Sequence, residues 1–491
     1  MMRIWRRSVR SFLCLLIVGL VLCSIHVEQV AAQGVSDTYN YSYSGTTVDS
    51  PAAYKATLIV DGEDLRIGAL NEPSDIFVNE EGEVYVVDTG NNRIVVLNEQ
   101  LELVHVIDTF MNQEKKEGFN NPQGIFVDEL NHIYIADTGN KRVVHLNENY
   151  ELMKVVDSPQ LEVLKEDFEF TPVHLVVDKA QRIYVMASGV FDGFMEFNAD
   201  GEFTTFIGAN RVRVSPIELL WKRLSTKAQR SRMVQFIPTE FTNLDINDEG
   251  FIYATNGDEW GDTIKKLNAQ GTDILRREGY FSPRGDERYS QKDGPSRLID
   301  LDVWDSEIYS VLDSKKGRIF TYNGDGHLMY VFGGIGNTMG EFVTPIAIER
   351  IGNHFLVLDK SLAEITVFEE TNYGRTLNEA VKSYYSGDEE KAYHLYQETI
   401  NMNANLDFAY IGIGKALYRQ GQYNEAMNFF KEGKDQKNYS KAFILQRKEI
   451  LRAYFPVGMT SILILVLLWV ILGRIRKVRR LRGGNSIDIV E

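Results

Sequence analysis

An eleven-residue segment occurs twice in this chain with almost the same sequence. It reads DTGNNRIVVLN from Asp88 to Asn98 and DTGNKRVVHLN from Asp137 to Asn147, 49 positions later (137 − 88). Each copy follows a short alternating apolar run and a strand centred on a tyrosine. Short strands and turn residues that recur with a period of about 50 are typical of repeat architectures. This period constrains the fold more than the composition does.

Six units of this kind can be aligned on their first apolar strand. The predicted first strands begin at Ile76, Ile125, Leu175, Leu244, Leu301 and Ile346. Second and third strands follow in every unit, and a fourth is predicted in the first five. The sixth unit has no fourth strand of its own, and a strand predicted from Tyr54 to Val60 can supply it. Closure in this way removes free sheet edges. The pattern therefore predicts a mainly β fold, a closed six-bladed β-propeller over residues 54–370.

These repeats resemble NHL-repeat β-propellers. The resemblance is carried by the two DTGN segments, by NEPSDIFV and NNPQGIFV before them, and by the linker FGGIGNTMGEFVTP. It covers residues 54–370 and is strongest in the first two units. The resemblance implies a fold but no single activity, because one fold hosts many functions. The DTGN turns themselves are predicted to be structural, since a residue repeated in successive blades serves the blade.

A different period begins after the propeller. Small and aromatic residues recur 34 positions later (421 − 387): Gly387, Ala392 and Tyr396 return as Gly421, Ala426 and Phe430. This spacing and these residue types resemble tetratricopeptide repeats, which stack helix pairs into a concave surface. We therefore predict an array of TPR-like helical hairpins over residues 376–454.

Apolar segments lie near both ends of the chain. Residues 1–32 combine four arginines, an apolar core and a small-residue site, the layout of a secretory signal peptide. An uncleaved anchor helix is the alternative, and lipid attachment at Cys23 is a weaker one. Residues 456–473 are uncharged and long enough to cross a bilayer. The basic tail, residues 474–491, is then cytoplasmic by the positive-inside rule.

The distribution of charge and cysteine limits the function classes. The net charge is −16, while both ends of the chain are basic, so the body between them is strongly acidic and is predicted not to bind nucleic acid. Both cysteines, Cys14 and Cys23, lie in the first apolar segment, so a processed chain has no disulfide. Residues 33–53 are rich in Ser, Thr, Tyr and Asn and are predicted to be a flexible lead-in.

The position before each inner strand is the most informative one for chemistry, because these positions converge around the axial channel of a propeller. They are Asp75, Gly124, His174, Asn243, Asp300 and Pro345. Carboxylate, amide and imidazole groups in one place could hold a divalent cation such as Ca²⁺. The set is similar to that of gluconolactonase-like propellers, which implies a metal-dependent lactonase. The alternative is a channel mouth that is merely polar, and the identity of any metal stays open.

An insertion between the third and fourth units, residues 211–236, is predicted to contain an amphipathic helix. Ser215 is a favourable N-cap, and Pro216 and Glu218 suit the first turn. The polar face carries five cations: Lys222, Arg223, Lys227, Arg230 and Arg232. These could contact a membrane surface or an anionic wall polymer. Alternatively, the helix could cover its own acidic propeller.

The sequence thus predicts a single-pass protein of the cell membrane with its bulk outside and its carboxyl terminus in the cytoplasm. The predicted function is a binding scaffold that uses the propeller and the helical repeats to hold a protein, carbohydrate or cell-wall ligand. The competing hypothesis is the lactonase-like hydrolase. No phosphate-binding loop, nucleophile elbow or paired-cysteine metal site occurs. No cofactor is predicted apart from the divalent cation of the hydrolase hypothesis.

Overall fold

A computed structural model describes residues 38–159, 168–210, 239–257, 261–290 and 294–483. The chain divides into two compact units, residues 1–374 and 375–491. The first unit is a β-propeller and the second is helical.

Tyrosine-rich, alternating sequences open the described chain as a short hairpin, and β-branched and aromatic runs then form the propeller strands. The hairpin and the next strand are β1 (Tyr39–Tyr41), β2 (Thr47–Asp49) and β3 (Tyr54–Asp61). Blade 1 consists of β4 (Asp75–Val78), β5 (Val84–Asp88), β6 (Arg93–Leu97) and β7 (Leu103–Ile107). A separate hairpin follows, with β8 (Thr109–Asn112) and β9 (Lys115–Gly118). Blade 2 consists of β10 (Gly124–Val127), β11 (Ile133–Asp137), β12 (Arg142–Leu146) and β13 (Leu152–Val156).

The remaining four blades repeat the same antiparallel order. Blade 3 consists of β14 (Pro172–Val177), β15 (Ile183–Ala187), β16 (Gly193–Phe197) and β17 (Phe203–Gly208). Blade 4 consists of β18 (Phe241–Ile246), β19 (Ile252–Asn256) and β20 (Ile264–Leu267). Blade 5 consists of β21 (Leu298–Val303), β22 (Tyr309–Asp313), β23 (Arg318–Tyr322) and β24 (Leu328–Phe332). Blade 6 consists of β25 (Pro345–Ile351), β26 (His354–Asp359) and β27 (Glu364–Glu370), completed by β3.

The amino-terminal strand closes the ring. β3 pairs antiparallel with β27 and places Val60 opposite Ile365 and Leu58 opposite Val367. The predicted count of six blades and the predicted donor strand are both confirmed. The apolar cores lie between neighbouring blades, where the strand residues of one sheet pack on the next. This pairing covers the outer edge of β27 and joins the amino-terminal strand to the last blade.

Blade 4 differs from the prediction of a fourth strand in each of the first five units. Within the described residues its sheet has three strands. The edge of β20 is covered by an irregular segment instead: the Ile274 N–H donates to the Lys266 carbonyl at 2.7 Å, and the Arg277 guanidinium donates to the Ile264 carbonyl at 3.0 Å. One of these bonds comes from the backbone of the segment and the other from a side chain, so acceptors of β20 are satisfied without a regular fourth strand.

The lead-in is ordered where the structure describes it. The hairpin formed by β1 and β2 buries Tyr39 and Tyr41, and the Tyr41 hydroxyl donates to Asp286 at 2.8 Å. Asp286 also pairs with Lys316 at 2.5 Å and Arg318 at 3.0 Å. The prediction of flexibility is therefore wrong for residues 38–50, because polar composition concealed two buried tyrosines. The same burial makes the Arg-Gly-Asp triplet that ends at Asp286 unavailable for adhesion.

The repeated DTGN segments form the turns between second and third strands. Asp88 accepts hydrogen bonds from the Asn71 N–H at 2.7 Å and from Arg93 Nε at 2.6 Å. Asp137 makes the same two bonds in blade 2, to the Asn120 N–H at 2.7 Å and Arg142 Nε at 2.8 Å. The glycines are required for space, since a Cβ on Gly90 would lie 2.5 Å from the Asn71 side chain. Positive φ falls instead on Asn92 and Lys141.

The second unit is built from helices. These are α1 (Asn372–Ser386), α2 (Glu389–Met402), α3 (Asp407–Arg419), α4 (Tyr423–Glu432) and α5 (Gln436–Gly483). Close packing depends on two glycines of α3, where a Cβ on Gly412 would meet the Tyr396 ring at 2.5 Å and one on Gly414 the Phe430 ring at 2.7 Å. The recurring aromatic residues therefore pack between helices, as the 34-residue period predicted.

The last helix is continuous from the helical unit to the basic tail. Helix α5 runs through Pro456 without a break, so the end of the predicted helical repeats and the predicted membrane span form one helix. This helix is the one in the described chain that is long and apolar enough to cross a membrane. Its apolar side chains from Tyr454 to Val478 are exposed. An exposed apolar helix of this length is a candidate membrane span.

Candidate functional site

The inner strands line the axial channel in two tiers. Strand pairing places the first tier at Asp75, Gly124, His174, Asn243, Asp300 and Ala347. In blade 6 the prediction of Pro345 is wrong. The register shift that precedes His174, Asn243 and Asp300 in blades 3 to 5 lies between Pro345 and Ala347 here, so Ala347 is the equivalent residue. The second tier lies two residues further along each strand: Phe77, Phe126, Val176, Asp245, Asp302 and Glu349. The four polar residues predicted for the channel mouth therefore do converge on one cavity.

Asp75 joins blade 1 to blade 2. One carboxylate oxygen accepts a hydrogen bond from the Ile76 N–H at 3.1 Å, and the other accepts one from the Ile125 N–H of the next blade at 3.0 Å. His174 of blade 3 approaches the same carboxylate, with Nδ1 3.6 Å from Oδ2. Asp75 and His174 form one pair on this side of the channel.

Asp300 and Asn243 form a second pair. The Asn243 side-chain amide donates to Asp300 Oδ1. The other oxygen of Asp300 accepts a hydrogen bond from the Ile348 N–H of blade 6 at 2.5 Å. Asn243 in turn accepts from the Leu244 N–H at 2.6 Å. Three neighbouring blades, 4, 5 and 6, are thus connected through one carboxyl group.

The second tier contributes three further acids that all belong to blades 4 to 6. Asp245 accepts from the Ile246 N–H at 2.7 Å and from the Val303 N–H of blade 5 at 2.8 Å. Asp302 lies 3.7 Å from Arg350 Nε, and that guanidinium stacks 4.1 Å from the Trp304 ring. Glu349 accepts one hydrogen bond, from the Arg350 N–H at 3.3 Å.

Burial and mutual repulsion keep these acids partly protonated. Burial, followed by the charge of Asp75, raises the pKa of Asp300 well above its ordinary value. Burial and the neighbouring Asp302 raise the pKa of Asp245 to about 7, and burial raises that of Asp302 to about 6 against the opposing effect of Arg350. The pKa of Glu349 is also raised well above normal, by burial and then by Asp302 and Asp245. Several carboxyls in one low-dielectric channel cannot all ionise at neutral pH.

The space that remains is small. The cavity volume is about 20 Å³, which suffices for a water molecule or a bare ion and excludes an organic ligand. The cavity is bounded by Ile76, Phe77, Ile125, Phe126, Leu175, Val176, Leu244 and Leu301 besides the polar groups. Any larger molecule would have to remain outside this level of the channel.

The axial residues do not present a preformed metal site. Among the described residues, three acidic or histidine side chains bring their ligand atoms within 4.8 Å of one another at Glu80, Glu129 and Asp248. Asp75, His174 and Asp300 form no such group. The predicted ligand set is therefore divided into the Asp75–His174 pair, whose nearest atoms are 3.6 Å apart, and the hydrogen-bonded Asp300–Asn243 pair, and it does not fit a single divalent cation in this arrangement.

The group that does converge lies on the turns after the first strands and is exposed. Lys179 supplies a cation there, with Nζ 2.7 Å from Glu129. The hydrogen bond to Glu129, with the charges of Asp248 and Glu80, raises the pKa of Lys179. The lysine ammonium thus offsets one of the three negative charges.

The second predicted site is the basic face of the insertion helix. The five cations of the insertion helix, Lys222, Arg223, Lys227, Arg230 and Arg232, lie outside the described residues. Their predicted contact with a membrane or an anionic polymer stays a prediction.

Comparison with known proteins agrees with the blade geometry. Residues 70–97 and 119–146 match the NHL repeat family. The chain contains NHL repeats. No curated protein matches the sequence.

Solved structures similar to this NHL propeller are distant. Virginiamycin B lyase from Staphylococcus aureus is 9% identical, with a TM-score of 0.40 over 65% of this chain and 100% of that one. A protein of unknown function from Bacteroides thetaiotaomicron is 12% identical, with a TM-score of 0.41 over 68% of this chain and 76% of that one. A structural-genomics target assigned as a gluconolactonase is also 12% identical, with a TM-score of 0.39 over 65% and 93%.

Sequence reasoning missed the second-tier acids of the NHL propeller. Asp245, Asp302 and Glu349 each stand two positions after a first-tier residue, in otherwise apolar strands. An acid on the inward side of a buried strand is the pattern that could have revealed them, since strand side chains alternate with a period of two. Glu349 was missed for a further reason: the predicted first-tier residue of blade 6 was Pro345 in place of Ala347, so the second-tier position of that blade was also misplaced.

Proposed function

We propose that this NHL-repeat protein is a membrane-anchored binding scaffold, with its propeller and TPR-like helices outside the cytoplasm. The observation that supports it most is the state of the axial channel. Asp75, Asp245 and Asp300 use their carboxyls to accept N–H groups of neighbouring blades, and a cavity of about 20 Å³ remains. Because these side chains stabilise the contacts between blades, we assign recognition of a partner to the outer surface of the propeller.

An apolar surface at the junction of blades 5 and 6 is the part of the propeller best suited to a protein partner. It comprises Ile335, Met339, Val343 and Leu362, all of which are exposed. Val343 and Leu362 are held together by Asp359, which accepts their N–H groups at 2.7 and 2.9 Å. Exposed apolar side chains on a rigid turn are typical of protein contact surfaces.

A photocrosslinking experiment in intact membranes tests the scaffold. A photoreactive residue would replace Met339, which is 54% exposed, and in a matched control would replace Leu130, which is 57% exposed and lies on a turn after a first strand. We expect crosslinked products at position 339 that are absent at position 130. Equal products at both positions, or none at either, would contradict recognition through the surface at blades 5 and 6.

The second candidate is the lactonase-like hydrolase, which the convergence of Asp75, His174, Asn243 and Asp300 on one cavity favours. A divalent cation held there would polarise a lactone carbonyl, but the two separate pairs do not fit one cation. Metal analysis of the purified full-length chain and turnover of a simple lactone distinguish the two functions. Stoichiometric metal and turnover that are both lost in Asn243→Ala would establish the hydrolase in place of the scaffold.

A further inference from the structure

The carboxyl-terminal end of α5 carries a dense group of cations directly after the apolar segment. Arg474, Arg476, Lys477, Arg479 and Arg480 are all exposed. We name these five residues the basic collar. The preceding acid, Glu449, lies 25 residues earlier (474 − 449), about 38 Å along the helix. The segment of α5 between Glu449 and Arg474 therefore contains no acidic residue that could pair with the basic collar.

The length of the uncharged segment fixes the level of the collar in a bilayer. Between Arg452 and Arg474 there are 21 uncharged residues (473 − 453 + 1), a helical length of about 32 Å. The hydrocarbon core of a bilayer is about 30 Å thick, and each headgroup layer adds about 5–8 Å. The collar extends about 9 Å along the axis from residue 474 to 480. If α5 spans the membrane, the collar lies at the level of the lipid phosphates.

The distribution of the collar around the helix indicates the kind of partner. At about 100° per residue, the five cations lie at about 0°, 200°, 300°, 140° and 240°, so they are spread over about 220° of the circumference, which is more than one face of the helix. A protein groove covers one face of a helix, whereas lipid headgroups surround it. Ile475 and Val478 are also exposed between the cations, which suits a layer of mixed polarity.

We propose that the basic collar binds the headgroups of anionic phospholipids in the leaflet on the carboxyl-terminal side. This inference rests on the proposed membrane anchoring and adds a lipid preference to it. Phosphate oxygens accept hydrogen bonds from guanidinium groups in a bidentate manner, and several cations near a negative leaflet act together. The outer flank of the span is weaker, because Arg447, Lys448 and Arg452 are accompanied by Glu449.

Quenching of Trp469 fluorescence by brominated lipids tests the proposal. Trp469 is 77% exposed and lies five residues before the collar. The full-length chain would be placed in bilayers of brominated phosphatidylglycerol or brominated phosphatidylcholine, each competed with the unbrominated lipid of the other class. The Trp469→Phe variant supplies the background from the other tryptophans. We expect a preference for phosphatidylglycerol of at least about fivefold.

Three variants complete the test. Replacing the five collar residues with glutamine should reduce the preference to near one, while replacing its four arginines with lysine should retain most of it. The same neutralisation of Arg447, Lys448 and Arg452 is the matched control and should change little. An unchanged preference in the glutamine variant would overturn the proposal and leave the collar with a role in topology alone. Absence of quenching by either lipid would instead contradict the membrane anchoring.

Discussion

The two halves of the axial channel differ although the six blades share one backbone. At the second tier, blades 1 to 3 present Phe77, Phe126 and Val176, and the two phenyl rings pack with centroids 5.0 Å apart. At the same tier, blades 4 to 6 present Asp245, Asp302 and Glu349. One half is therefore held by apolar contact and the other by carboxyl groups that accept N–H groups or face Arg350.

This difference shows that the inner strands around a propeller axis can be stabilised either by apolar packing or by carboxyl groups that accept hydrogen bonds. Blades 1 and 2 of the apolar half follow the NHL pattern, since residues 70–97 and 119–146 match that family. The acidic half diverges in sequence and uses Asp245 and Asp300 to connect neighbouring inner strands. The buried carboxyls are tolerated because most are hydrogen-bonded and partly protonated.

Introducing an acid into the apolar half should have the largest effect. Phe77→Asp removes the ring that packs on Phe126 and places a carboxylate against the remaining phenyl ring inside the channel. We expect the free energy of unfolding of the propeller to fall by about 3–5 kcal/mol. Urea denaturation followed by far-UV circular dichroism measures it. Phe77→Leu is the control and should cost about 1 kcal/mol; equal losses in both variants would contradict the role of the apolar half.

Removing the carboxyl group that connects blades 4, 5 and 6 should have the second-largest effect on stability. Asp300→Ala leaves the Ile348 N–H and the Asn243 amide without an acceptor, and we expect a loss of about 2–4 kcal/mol. His174→Ala is the control, because His174 lies in the same tier but makes no hydrogen bond to the backbone of another blade. It should lower the free energy of unfolding by less than about 1 kcal/mol. If both variants unfold at the same urea concentration, Asp300 does not hold the blades together.

The repeat period was sufficient to predict the blade count, the donor strand and four of the channel residues, because each blade must reproduce the same backbone. Asp88 and Asp137 illustrate this, because the same two hydrogen bonds in blades 1 and 2 require an aspartate at the same position. The sequence did not reveal that Asp75 pairs with His174 while Asp300 pairs with Asn243, since pairing across the axis depends on distances that no period encodes. The first-tier residue of blade 6, Ala347, and the irregular segment that covers β20 were also missed, because neither follows from the repeat period.

The acidic half should make the propeller less stable as the pH rises. The folded state raises the pKa of Asp245 to about 7 from an ordinary value near 3.8, so it binds more protons than the unfolded chain between these values. Stability from this group is therefore present below about pH 4 and is lost as the pH rises through about 7. Relative to Asp245→Asn, the native propeller should lose about 2 kcal/mol between pH 5 and pH 8. Parallel pH profiles of the two proteins would contradict this expectation.

The smallest expected effect comes from Glu349, which accepts a single hydrogen bond at 3.3 Å and stabilises no neighbouring blade by a bond to its backbone. Because burial and the adjacent acids raise its pKa well above normal, ionisation at pH 8 is unfavourable in the folded state. Glu349→Gln removes this repulsion while keeping the size of the side chain, and should raise the free energy of unfolding at pH 8 by about 1 kcal/mol. The gain should vanish at pH 4, where the native glutamic acid is already protonated. Urea denaturation of both proteins at the two pH values measures the difference, and a gain that persists at pH 4 would assign the effect to packing instead of charge.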